Sequence, residues 1–218
     1  MTTIMTETIK HHPSDGLLMA FSAGTLPEAF SLMVAAHVSL CDTCRAQVLA
    51  YDTLGGALMS DTVAMKNDAL AATFAAIDAA HGEPERPANR NPGVLPRPVQ
   101  DYVGGDLDAI RWRPVGMGVR QALLPTSRSA SARLLYIPAG GAVPDHGHKG
   151  TELTMVLKGA FSDEIDRFAR GDVETADEHI EHTPVADISE DCICLAVTDA
   201  PLKFNGLIPR LLQPFLRI

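Results

Sequence analysis

The sequence predicts a multi-domain α and β protein, with a helical domain at the N-terminus and an antiparallel β domain at the C-terminus. Apolar residues recur at helical spacing through residues 16–80. Residues 82–98 contain five Pro and two Gly, a composition typical of a stiff linker. Short alternating segments, separated by Gly and Pro, then predict a sandwich or barrel. We therefore expect domains over residues 1–85 and 99–218, joined by a linker over residues 86–98.

Four helices are expected in the N-terminal domain. Ser14 can cap the first helix, and Thr25 with Glu28 resembles a capping box for the second. The pair Gly55-Gly56 should end the third. The first, third and fourth helices are placed at residues 16–23, 45–54 and 69–80. The main strands are placed at residues 111–115, 121–124, 132–137, 153–157, 172–175 and 193–197.

The charge of the chain is negative and unevenly distributed. The formal net charge is −9. Residues 1–85 carry ten acidic and three basic side chains, a balance of −7, which disfavours direct binding to nucleic acid and favours a basic protein partner. We see no signal peptide and no apolar stretch of the ~20 residues that a membrane helix needs. A cytoplasmic protein without a membrane partner is therefore expected.

A histidine and two cysteines near residue 40 have the spacing of metal ligands. His37, Cys41 and Cys44 form an H-x3-C-x2-C pattern, and on a helix the first two lie one turn apart. Zinc accepts two thiolates and two imidazoles in a tetrahedron, so His11 or His12 can supply the fourth ligand. The alternatives are buried apolar cysteines or a redox pair, and the absence of a βαβ pattern disfavours the redox pair.

A second group of candidate metal ligands, three histidines and one glutamate, lies in the β domain. His146 and His148 are two residues apart and so project to one side of an extended segment. Glu152 on the next strand and His182 farther along can face the same cavity. Such a set binds one divalent metal, for which zinc is expected, although iron, manganese and nickel also suit these ligands. The alternative is a set of unrelated surface histidines.

Two further features of the β domain are open to interpretation. Cys192 and Cys194 alternate onto one strand face, where they are an oxidisable pair or, as we favour, buried apolar fillers. His179 lies three residues from His182 and could compete as a ligand, but a strand or turn would aim the two side chains differently.

The N-terminal pattern resembles that of zinc-binding anti-sigma factors, and the run from His11 to Asp15 is similar to their ChrR-type branch. This resemblance implies that His12 is the fourth ligand, that three helices hold the zinc and that a fourth helix packs beside a sigma factor. The β domain resembles a cupin, a jelly-roll barrel. Its first motif matches at Gly140, His146, His148, Glu152 and Gly159, and its second at Gly171 and His182.

Together the two resemblances imply a regulator rather than an enzyme. An anti-sigma factor of this kind sequesters an extracytoplasmic-function-type sigma factor in a 1:1 complex. It releases the sigma factor on an oxidative signal, singlet oxygen or organic peroxide, sensed through the cupin. Exposed barrel edges would permit a homodimer. The alternative function is a cupin dioxygenase, isomerase or hydrolase with a helical appendage, whose metal would have open coordination positions.

Overall fold

Five α-helices and then twelve β-strands follow one another in the part of the chain that the structure describes. The structure is a computed structural model and describes residues 8–59, 66–79, 93–143, 146–147, 149–177, 181–200 and 203–204. The helices are α1 (Asp15–Ser22), α2 (Glu28–Leu40), α3 (Asp42–Leu58), α4 (Ala69–Ala79) and α5 (Arg97–Val103). None of these described helices has the length and apolar character that a membrane crossing requires.

The start of α1 is as predicted, but the start of α2 is not. The Ser14 Oγ accepts a hydrogen bond from the backbone N–H of Leu17 at 3.3 Å, which satisfies a group that the first turn leaves unpaired. The predicted capping box is wrong, because the N-cap of α2 is Pro27. The Thr25 hydroxyl instead donates to the carbonyl of Ala20 at 3.1 Å, so Thr25 closes α1.

The third helix extends beyond both ends of the predicted range, residues 45–54. Cys41 is its N-cap, with Sγ accepting a hydrogen bond from the backbone N–H of Cys44 at 3.5 Å. The predicted stop at Gly55-Gly56 is wrong, because α3 passes through both glycines and ends at Leu58. A glycine inside a helix costs only about 1 kcal/mol relative to alanine, so two of them weaken a helix without ending it.

The strands form three antiparallel sheets within the described residues. The largest sheet has the order β1-β2-β3-β11-β5-β8, and the smaller ones have the orders β10-β6-β7 and β12-β4-β9. The strands are β1 (Arg113–Gly116), β2 (Val119–Leu124), β3 (Ser131–Ile137), β4 (His146–Gly147), β5 (Glu152–Lys158), β6 (Ala160–Ser162), β7 (Arg167–Ala169), β8 (Val173–Ala176), β9 (Glu181–His182), β10 (Val185–Ala186), β11 (Cys192–Thr198) and β12 (Lys203–Phe204). The predicted order of helices followed by an antiparallel β domain is confirmed.

The central strands of the six-stranded sheet, β3, β11 and β5, are mostly buried on both faces. The inner face packs against the sheet of β10, β6 and β7, with Val156 of β5 and Phe161 of β6 in one apolar cluster. The outer face packs against α2 and α5, with Phe30, Met33 and Val99 in the same cluster as the sheet residues. The helices and the barrel therefore share one apolar core.

The helix α5 is absent from the prediction, which has the β domain beginning near residue 99. Pro96 is the N-cap of α5 and a second proline occupies its first turn, a position where the missing N–H costs nothing. Leu95 and Val99 are buried under the sheet. Residues 93–98 of the predicted linker thus include a packed segment, while residues 86–92 lie outside the described residues.

Candidate metal centres

Four side chains from three segments of the helical part converge, and we call them the head cluster: His12, His37, Cys41 and Cys44. His12 lies just before α1, and His37 lies in the last turn of α2. Cys41 is the residue between α2 and α3, and its backbone N–H donates to the carbonyl of His37 at 2.9 Å. This local helix geometry turns the imidazole and both thiols to the same point.

The distances within the head cluster fit a tetrahedral ion. Nδ1 of His12 lies 3.4 Å from Nε2 of His37, 3.5 Å from Sγ of Cys41 and 3.3 Å from Sγ of Cys44. A zinc ion with bonds of about 2.0 Å to nitrogen and about 2.3 Å to sulfur would separate tetrahedral ligands by about 3.3 Å (N to N) and about 3.5 Å (N to S). The ligand set and its spacing therefore fit zinc.

Burial keeps His37 and Cys44 neutral in the metal-free cluster. His37 is fully buried, and this burial lowers its pKa to about 4, against the opposing hydrogen bond to Gly171. Burial, followed by the hydrogen bond to Cys41, raises the pKa of Cys44 to about 12. A neutral imidazole is the form that binds a metal, whereas a thiol must lose its proton to do so. A divalent cation supplies the positive charge that a buried thiolate here requires.

The two adjacent histidines before α1 have different surroundings. His12 points into the head cluster, although it is itself exposed. The ring of His11 lies 4.5 Å from that of Phe168, and its Nε2 is 3.1 Å from a carboxylate oxygen of Asp166 on the barrel. The structure therefore places His12, the residue implied by the family resemblance, at the cluster and places His11 against the β domain.

The second predicted centre is only partly described. The backbones of His146 and His182 are directly paired where β4 pairs with β9. His182 is 2% exposed and Glu152, at the start of β5, is 8% exposed. The side chain of His146, all of His148 and the rival candidate His179 lie outside the described residues. The complete ligand set of the barrel stays a prediction.

Two carboxyl groups that the sequence did not single out contact His182. Its Nδ1 lies 2.7 Å from Oε1 of Glu174 and 3.3 Å from Oδ2 of Asp163. Burial raises the pKa of Glu174 to about 7. Burial alone would lower the pKa of His182, but the hydrogen bond to Glu174 and the nearby carboxylates outweigh it and raise that pKa to about 9. Because these acids occupy Nδ1, a metal would bind Nε2, and the acids would fix the ring orientation.

The cysteine pair of β11 lies inside the barrel. Cys192 and Cys194 are at most 1% exposed, and their Sγ atoms are 3.5 Å apart. The hydrogen bond between them and their burial raise the pKa of Cys194. A buried thiol that holds its proton is a poor nucleophile, which agrees with the interpretation of these residues as apolar fillers.

The second half of the helical part presents apolar side chains to solvent. On α4, Leu70, Phe74 and Ile77 lie on one face, 62%, 58% and 60% exposed, and we call them the α4 stripe. The end of α3 and the following turn add Leu58 and Met59, 78% and 80% exposed. No residue of α4 is buried. Exposed apolar side chains grouped on one helix face are typical of a protein-binding surface.

Comparison with known proteins gives a consistent family assignment. The family model of the ChrR cupin-like domain matches residues 100–202. The chain is 58% identical over 213 residues to the anti-sigma-E factor ChrR of Cereibacter sphaeroides, covering 97% of this chain and 100% of that protein. In the crystal structure of Rhodobacter sphaeroides SigE in complex with the anti-sigma ChrR, the matched chain is 56% identical with a TM-score of 0.76. That match covers 88% of this chain and 100% of the other.

These relatives are regulatory proteins, so the expectation of a regulator rather than an enzyme agrees with them. The near-complete coverage in both comparisons extends over the helical part and the barrel together. The chain therefore belongs to the ChrR family of anti-sigma factors.

Proposed function

We propose that this protein is an anti-sigma factor that sequesters an extracytoplasmic-function-type sigma factor through its helical domain, in a 1:1 complex in the cytoplasm. The relative of known structure, which was crystallised in complex with SigE, supports this function. The observation on this chain that carries the proposal is the α4 stripe, three large apolar side chains at helical spacing without a covering element among the described residues.

The charge of the helical domain supports a protein partner that itself binds DNA. The balance of −7 over residues 1–85 would attract the basic surfaces with which a sigma factor contacts DNA. The same charge would repel the phosphate backbone. The acidic residues would thus steer the sigma factor toward the domain, and the α4 stripe would provide the buried contact area. Together they would allow binding of the sigma factor without binding of promoter DNA.

We further propose that zinc occupies the head cluster. Bound there, the ion would supply a closed tetrahedral link between the segment before α1, the end of α2 and the start of α3. His37 and Cys44 are buried, and each already contacts Nδ1 of the exposed His12. The role we propose for these side chains is structural: they hold α3 at a fixed angle to α2, with which it packs.

For the barrel we propose one divalent metal, zinc by expectation, bound by His146, His148, Glu152 and His182. The burial of Glu152 and His182 and the pairing of His146 with His182 support this set. We propose that the barrel senses an oxidant, singlet oxygen or an organic peroxide, and that this event weakens the hold of the helical domain on the sigma factor. A change of a few kcal/mol is sufficient to shift such an equilibrium.

The test is copurification of the full chain with a candidate sigma factor of the same organism. We expect one sigma factor and two metal ions per chain, the metals counted by elemental analysis. Phe74→Asp on the α4 stripe should weaken binding by about 30-fold or more, the effect of losing an interface residue worth about 2 kcal/mol. The matched control is Ala72→Asp, which adds the same charge to the opposite side of α4. Equal affinities for the two variants would contradict the proposed interface.

A further inference from the structure

The helical part contacts the barrel at the turn between β7 and β8 (the β7–β8 turn), whose last two residues are Gly171 and Asp172. The carbonyl of Gly171 accepts a hydrogen bond from Nδ1 of His37 at 2.9 Å. The carboxylate of Asp172 accepts hydrogen bonds from the backbone N–H groups of Lys10 at 2.6 Å and His11 at 2.9 Å. Two consecutive barrel residues therefore contact both histidine-bearing segments of the head cluster.

The contact to Gly171 determines which nitrogen of His37 faces the cluster. A carbonyl oxygen can only accept, so Nδ1 of His37 carries the proton. A neutral imidazole then presents its lone pair at Nε2, the atom that lies 3.4 Å from Nδ1 of His12. The barrel carbonyl thus selects the tautomer of His37 that can bind a metal in the head cluster.

The contact to Asp172 fixes the backbone directly before His12, the exposed ligand of the head cluster. Asp172 is only 2% exposed, and it also accepts a hydrogen bond from the backbone N–H of Ala169 at 2.9 Å. The backbone N–H of Val173 donates to the carbonyl of His11 at 3.1 Å, so residues 10–11 lie along the start of β8. His12 follows directly and is the exposed member of the head cluster. Its backbone is therefore held by the barrel.

We propose that Gly171 and Asp172 are positioning residues for the metal of the head cluster, so that metal retention by the helical domain depends on the barrel. This rests on the proposed zinc binding and gives the proposed regulation a physical route. Groups that orient metal ligands typically contribute 10- to 100-fold to metal affinity. Here such groups belong to the other domain, so displacement of the β7–β8 turn loosens two of the four ligands.

The strand that follows the β7–β8 turn, β8, reaches the second centre. Glu174 lies two residues beyond Asp172 on β8, a rise of about 7 Å, and its Oε1 is 2.7 Å from Nδ1 of His182. The β7–β8 turn therefore contacts His37 of the head cluster, and β8, which follows it, contacts His182, a predicted ligand of the barrel metal. Residues 171–174 thus join the two centres.

The test follows cobalt(II) in the full chain. Cobalt bound by thiolate has a charge-transfer absorption band, and among the proposed ligands only Cys41 and Cys44 provide thiolate, so the band reports the head cluster alone. Asp172→Asn removes the carboxylate with almost no change in size. On addition of excess EDTA, we expect this variant to lose the band at least 10-fold faster than the wild type.

The matched control is Asp106→Asn. Asp106 also accepts hydrogen bonds from two consecutive backbone N–H groups, those of Val94 and Leu95, each at 2.9 Å, but it does not contact the head cluster. This variant should release cobalt at the wild-type rate. Equal release rates for Asp172→Asn, Asp106→Asn and the wild type would overturn the proposal.

A measurement on the wild type covers the case in which Asp172→Asn does not fold. The backbone N–H groups of residues 10 and 11 precede the first helix, yet the proposal requires them to be protected from hydrogen exchange in the metal-loaded chain. Free exchange at both positions would overturn it without any variant. Neither readout involves the sigma factor, so failure of the proposed function would leave these results interpretable.

The route through β8 has its own test. Glu174→Gln keeps the size of the side chain and weakens its interaction with His182. We expect it to accelerate cobalt release from the head cluster several-fold, less than Asp172→Asn does. If Asp172→Asn accelerates release and Glu174→Gln leaves it unchanged, the positioning role stands and the route through β8 is overturned.

Discussion

Replacement of Gly171 by alanine should lower the free energy of unfolding. The same replacement at Gly104 serves as the reference for the contribution of backbone strain. Gly171 has φ of +93°, and an added Cβ would lie 2.5 Å from Cδ1 of Ile9. Gly104 has φ of +83°, but nothing lies within 4 Å of the corresponding position. Gly104→Ala therefore measures left-handed backbone strain alone, about 1–2 kcal/mol. Gly171→Ala adds a steric contribution of about 1 kcal/mol, at the low end for overpacking, because the outer atoms of Ile9 can rotate away.

The assay is urea unfolding of the zinc-loaded full chain, followed by circular dichroism. We expect the free energy of unfolding to fall by about 2–3 kcal/mol for Gly171→Ala and by about 1–2 kcal/mol for Gly104→Ala. In a double-mutant cycle, Ile9→Ala should remove the extra loss of about 1 kcal/mol in the Gly171→Ala background. Equal losses for the two glycine variants, together with no coupling to Ile9, would refute the close approach of the segment before His12 to the β7–β8 turn.

Three further outcomes follow from the two centres. Cys44→Ala should lose one zinc per chain by elemental analysis and release the sigma factor constitutively; a variant that retained full inhibition would contradict a structural role for the zinc. Glu152→Ala should bind the sigma factor normally in a pull-down but fail to release it after exposure to singlet oxygen, and normal release would exclude the barrel metal from sensing. Because Cys44 holds its proton with a pKa of about 12 and the pKa of His37 is about 4 in the metal-free cluster, zinc binding must release at least one proton. The affinity of the head cluster for zinc should then rise at least about tenfold per pH unit from about pH 5.5 to about pH 8. A competition titration showing no pH dependence would refute the protonated state of Cys44 in the metal-free cluster.

The parts of the site that lie close together in the chain could be predicted from the sequence. His37, Cys41 and Cys44 span only eight residues, from the last turn of α2 to the first turn of α3, so local geometry brings them together. The fourth ligand could not be chosen in this way, because the residue pattern alone does not distinguish His11 from His12. The structure distinguishes them through contacts to the barrel, where Asp166 and Phe168 hold His11. Those contacts are more than 150 residues away in the chain, and no local pattern encodes them.

The acids around His182 illustrate what spacing cannot show. Glu174 lies in a strand between Val173 and Thr175, and Asp163 lies in the turn that follows β6. Neither residue belongs to a recognisable sequence motif. Only the folding of β6 to β9 brings the two carboxylates to within 3.3 Å of the His182 imidazole. A charged residue on the inward-facing side of a buried strand was the one available signal, since such a residue is rarely buried without a partner.

The helix α2 explains why the two domains should act as one unit. It is buried nearly all round, as expected of a helix with neighbours on several sides. Val34 packs in the cluster that contains both cysteines, while Phe30 and Met33 pack in the cluster of the six-stranded sheet. At its first residue, the carboxylate of Glu28 accepts hydrogen bonds from the hydroxyl of Tyr102 and from the backbone N–H of residue 127.

The last turn of α2 is held as firmly as its first. His37 there donates to the carbonyl of Gly171, so both ends of the helix are bonded to the β domain while its middle packs on the sheet. A helix fixed in this way cannot tilt relative to the barrel without breaking a hydrogen bond at one end. A change in barrel shape would therefore reach the head cluster as a displacement of His37 against Cys41 and Cys44. Metal retention and the orientation of α3 would then change together, because Cys44 lies in the first turn of α3.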